Sequence, residues 1–74
     1  MKVRRKPVVL EATEYFPGVE HEAITFKDGC PVIETLEGPM RVSVGDFIIK
    51  GITGEFYPCK EHVFFQIYDI VEAG

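Results

Sequence analysis

Tryptophan is absent from this 74-residue chain, and cysteine occurs only twice, at Cys30 and Cys59. Two thiols do not make a disulfide scaffold, so free thiols in a reducing compartment are expected, with one small bridge as the lesser alternative. Nothing approaches the run of about 18 apolar residues that spans a bilayer, so no membrane partner is expected. The stretch Val8-Val9-Leu10 before Glu11 is too short for the apolar part of a secretory signal, and a cytoplasmic location is expected. Positive charge is scarce, with eight Lys and Arg against twelve Asp and Glu, a net of −4. Half of that scarce charge sits at Lys2, Arg4, Arg5 and Lys6, which leaves four bases against twelve acids elsewhere, a net of −8. Such an acidic body repels phosphate and disfavours a nucleic-acid surface. The segment 1–6 reads as a flexible basic arm, solvated or touching phosphate or an acidic partner, with nucleic-acid contact through Lys2–Lys6 as a third and weaker function reading.

What is present describes a small folded domain. Hydrophobic residues at 46% with 27% charged residues suit a globular chain rather than a disordered one. A single domain, 1–74, is expected. At this size it buries only about 60% of its unfolded surface, so the core is thin.

Glycine and proline punctuate the chain at strand spacing. Pro7 to Phe16 reads as a first strand with Val8, Leu10 and Ala12 inward. Ala23–Lys27 and Pro31–Leu36 read as a hairpin about Asp28-Gly29. Gly38-Pro39 is expected to break the chain before Met40–Val44, whose alternation puts Met40, Val42 and Val44 on one face. Gly45-Asp46 marks a bend in which the Asp46 carboxylate accepts backbone N–H bonds. Phe47–Lys50, with two adjacent isoleucines, reads as a central strand buried on both faces. Thr53-Gly54 turns the chain into Glu55–Pro58, where Pro58 is expected to end pairing. The last segment fits a helix through Phe65 or Gln66 and then a strand, Ile67–Val71. The fold class is therefore mostly β, or β-rich α+β. Five to seven short antiparallel strands form a half-open barrel or roll, with one short helix near Lys60–Phe65.

Several segments together resemble a family of small phage and prophage proteins that share a Pro-Gly-Asp-Tyr/Trp-type step. They are Arg4–Ala12, Thr35–Gly38, Val44-Gly-Asp-Phe-Ile-Ile-Lys-Gly51, Gly54-Glu-Phe-Tyr-Pro-Cys-Lys60, Phe64 and the region of Tyr68. The resemblance covers nearly the whole chain. It implies a mobile-element origin in a bacterial host, in a family without an assigned biochemical function. The chain departs from the family pattern at Val44, where proline is usual, and at Glu61-His62, where Pro-Asp is usual. Losing those helix-start residues weakens the helical reading of the last segment.

No catalytic constellation stands out. His21, Cys30, Cys59 and His62 offer a zinc inventory, but only Cys59-x-x-His62 has ligand spacing, so no metal and no cofactor are expected. Gly45, Gly51 and Gly54 lack the Lys-Ser/Thr ending of a phosphate loop. The live site is Glu55, Tyr57, Cys59 and Lys60. With Phe56 inward, Tyr57 points the other way, beside Glu55 and Cys59. This surface either recognises a partner, or Tyr57 packs on a neighbouring element with its hydroxyl bonded. The expected function is a non-enzymatic binding module for a protein or small ligand. A small metal- or thiol-dependent enzyme on Cys59 and His62 is the alternative. A homodimer through exposed edge strands would enlarge the thin core.

Overall fold

The computed structural model describes residues 1–4 and 7–72. Part of the basic arm, Arg5 and Lys6, therefore lies outside the described residues. The chain forms six strands and one helix: β1 (Glu11–Glu14), β2 (Ile24–Lys27), β3 (Cys30–Thr35), β4 (Gly38–Arg41), β5 (Phe47–Lys50), β6 (Phe56–Cys59) and α1 (Glu61–Ile67). They make two three-stranded antiparallel sheets, ordered β1-β5-β6 and β2-β3-β4, that do not close into a barrel. This is the expected β-rich architecture with its short helix near the C-terminal end. Among the described residues no helix is long and apolar enough to cross a membrane.

The first sheet is covered on both faces, which explains the Ile48-Ile49 pair. Ile48 points to the second sheet and joins Tyr15, Ile33 and Val42 in the core, with Phe56 packed at its edge. Ile49 points to the opposite face, where Phe64 of α1 stacks on Phe47 with ring centroids 3.9 Å apart. Both isoleucines are 1% exposed. The β2–β3 hairpin turns at Asp28-Gly29, as the sequence predicts. Both residues have positive φ, 52° and 77°, which suits the twist of a two-residue hairpin.

Other expectations need correction. The first strand is only Glu11–Glu14, and Val8 and Ala12 are exposed while Leu10 is half-buried. Ala12 pairs with Ile49 on the face that α1 covers, but a seven-residue helix is too short to reach over it. The aromatic that this strand delivers to the core is Tyr15, just past its end. Gly38-Pro39 does not break the chain but opens β4, because Leu36-Glu37 make the reversal. The Thr35 hydroxyl holds that turn, accepting the Glu37 N–H at 3.1 Å and donating to the Gly38 carbonyl at 2.7 Å. Of the expected trio Met40, Val42 and Val44, only Met40 lies on β4, and only Val42, just past its end, is buried. Val44 sits on the following turn, where the chain has left the sheet.

Pro58 does not end pairing. It lies inside β6 opposite Ile48, and the ladder continues to Cys59 opposite Phe47. An edge strand tolerates a missing N–H on its outer side. The strand expected at Ile67–Val71 is not formed. Residues 61–67 are helical, and Tyr68 closes α1 by donating its N–H to the Phe64 carbonyl at 2.9 Å. The helical spacing of Phe64 and Tyr68 prevails because it buries Phe64 on Phe47, whereas the alternating set Phe65 and Ile67 stays exposed.

Candidate functional site

The stretch Glu55–Lys60 divides into two environments. β6 alternates as expected, with Phe56 toward the core and Tyr57 toward the α1 face. The Tyr57 hydroxyl lies 3.2 Å from that of Tyr68. Burial first, and then this hydrogen bond, push the Tyr57 phenol up to about 12. Of the two sequence alternatives for Tyr57, the bonded hydroxyl is present, yet the ring is only half-buried and still lines an open groove.

That groove has a volume of about 380 Å³ and runs between the Glu55–Pro58 stretch and the tip of the β3–β4 hairpin. Phe56, Tyr57 and Pro58 form one wall, and Leu36 and Met40 the other. Glu37 and Glu55 give it an acidic rim. Leu36 is 84% exposed at the hairpin tip, where solvent would favour a polar residue. Glu55 folds back on its own turn and accepts hydrogen bonds from the Thr53 N–H and hydroxyl. Those bonds, led by the hydroxyl, hold its carboxyl below the usual range, so it stays charged. The folded carboxylate occupies the space that a Cβ on Gly51 would need.

Cys59 and Lys60 do not line this groove. Lys60 reaches back to the turn before β5, where its ammonium lies 3.1 Å from Asp46 Oδ2 and 3.4 Å from Ser43 Oγ. Asp46 is 3% exposed and also accepts the Ser43 N–H at 2.8 Å, the role its sequence position suggests. Gly45 in this turn has φ 90°, and its N–H donates to the Tyr15 carbonyl, tying the turn to the core. The ion pair thus fastens the start of α1 to the β4–β5 turn.

The Cys59 thiol points to the Lys60 carbonyl at 3.7 Å. Burial, and then the nearby Asp46 charge, raise it above its ordinary value, which keeps it protonated and works against a thiolate nucleophile. The zinc inventory is dispersed: the ring of His21 accepts the Ala23 N–H through Nδ1 and packs edge-on against Phe56, and Cys30 receives Arg41. Among the described residues no three His, Cys, Asp or Glu side chains gather as a metal group. Both cysteines are free.

Sequence reading missed Leu36, Glu37 and Met40 as neighbours of Tyr57. The available signal was Leu36 itself, an apolar residue between turn-forming neighbours. No family model, curated protein or solved structure matches this chain.

Proposed function

We propose that this chain is a non-enzymatic binding module that recognises a polypeptide segment through the groove between β6 and the β3–β4 hairpin tip. Within this reading, Glu55 and Tyr57 belong to the contact surface, whereas Cys59 and Lys60 support it from behind. The phage-type resemblance and a bacterial cytoplasmic setting belong to the same reading.

The observation that carries it is the placing of exposed Leu36 beside Met40, Phe56 and Tyr57 in one groove. Mixed aromatic and aliphatic walls with a polar rim are the usual make-up of a recognition surface. An apolar residue at a solvent-facing hairpin tip adds nothing to the core. Its burial against a partner would remove apolar area from water.

Pull-down from bacterial lysate with wild type, Tyr57→Ala and Leu36→Asp tests the proposal. Leu36→Asp is the sharper variant, because Leu36 is exposed and is not a member of the buried core cluster. The expected result is a protein retained by wild type and lost with both variants. Equal recovery by wild type and Leu36→Asp would remove the groove from the account.

A further inference from the structure

We infer that the partner of this groove is a second copy of the same chain, whose residues Lys2-Val3-Arg4 and Val8-Val9 lie in it. This rests on reading the groove as a recognition surface, and three observations name the occupant. The first is charge. The rim carries Glu37 and Glu55 over an apolar floor, and the chain carries the matching pattern in Lys2-Val3-Arg4 and Val8-Val9. Cationic side chains would meet the carboxylates while the valines cover Leu36 and Met40.

The second observation is unused surface. The chain exposes 6092 Å², whereas a compact monomer of this mass exposes about 4,600 Å². The surplus of about 1,500 Å² exceeds the roughly 800 Å² that each partner buries in a standard interface. Residues 1–4 and 7–9 are all exposed, with Val3 at 85% and Val9 at 80%. Val3, Val8 and Val9 therefore stay exposed, with Val8 and Val9 at the open groove beside α1, and only Leu10 is half-buried.

The third observation is position. Glu11 pairs with Lys50, and Lys50 with Phe56, so the segment leaves the sheet at the end where β6 begins and the groove opens. Two copies meeting at that end about a two-fold axis place each segment over the partner's groove at the same time. Such an isologous arrangement closes on itself. Pairing of β1 with its own copy is a poorer route, because antiparallel Glu-Ala-Thr-Glu strands would set Glu11 against Glu14.

A charge exchange tests this directly, with mass in solution read by sedimentation velocity on the full chain. Wild type is expected at twice its 8.4 kDa mass at low salt and to dissociate as salt rises. Lys2→Glu/Arg4→Glu and Glu37→Lys/Glu55→Lys are each expected as monomers with an unchanged far-ultraviolet spectrum. Mixed in equal amounts, the two variants restore both contacts, and a heterodimer should return. Leu36→Asp should weaken association at least tenfold without touching the charges of the basic segment. A wild-type monomer at every concentration, a dimer indifferent to the reversals, or no recovery on mixing would each overturn the inference. A wild-type monomer combined with a lysate partner lost on Leu36→Asp would overturn only the choice of partner and leave the recognition reading standing.

Discussion

Asp46 is the residue whose loss should cost most for its size. It is buried, and its carboxylate satisfies both the Ser43 N–H and the Lys60 ammonium. Asp46→Ala strands that N–H and is expected to cost about 1–3 kcal/mol in urea unfolding. Lys60 is mostly exposed, so Lys60→Met should cost no more than about 1 kcal/mol. Equal losses would show that the ion pair rather than the turn sets the energy. Cys59 offers a second check through its reaction with an aromatic disulfide. The wild-type thiol should react more slowly than a free one at pH 8, and Asp46→Asn should speed it by removing the nearby negative charge. Tyr57 gives a pH signature. Its phenol is raised from 10.0 to about 12, so the folded state favours the protonated form. That stabilisation is complete below pH 10 and is lost as pH climbs through 12. Tyr57→Phe should flatten this fall in unfolding midpoint, and an identical fall in the variant would contradict the assignment.

α1 and the β2–β3 hairpin depend on different physics. Seven residues cannot hold a helix in water, so α1 persists by docking Phe64 on Phe47 and the Tyr68 hydroxyl near Tyr57. Phe64→Ala should cost about 3–5 kcal/mol, a large part of the stability of a domain this small. Circular dichroism and urea melts would show the helix signal and the cooperative transition failing together. Gly29→Ala should cost about 1 kcal/mol, since its φ of 77° strains any side chain. The hairpin, the twin isoleucines and the Asp46 turn were legible because each rests on local chemistry at fixed spacing. The exposure of Val8, Ala12 and Val44 was not, because it depends on how far a helix or a sheet distant in sequence extends. The groove was legible on one wall only. Glu55 and Tyr57 announce themselves, whereas Leu36 and Met40 reach them through the packing of β3 and β4 on β6.

Taken whole, the molecule is a thin two-sheet body with more surface than its mass requires, and half of its basic residues fall within the first six positions of the sequence. A fold so poor in core gains from association, and its midpoint of thermal unfolding should rise with protein concentration if copies pair. The core is correspondingly small: Ile33, Ile48 and Ile49 are the only fully buried large side chains among the described residues. The central claim is that the groove beside Tyr57 is where this chain meets the N-terminal segment of a second copy of itself. Backbone amide shifts, followed as labelled protein is concentrated at low salt and then returned to high salt, test it most directly. The account predicts salt-reversible changes gathered at Leu36, Glu37, Met40 and Glu55–Tyr57 and along residues 2–9. Changes confined to α1 and residues 68–72, or none at all, would contradict it.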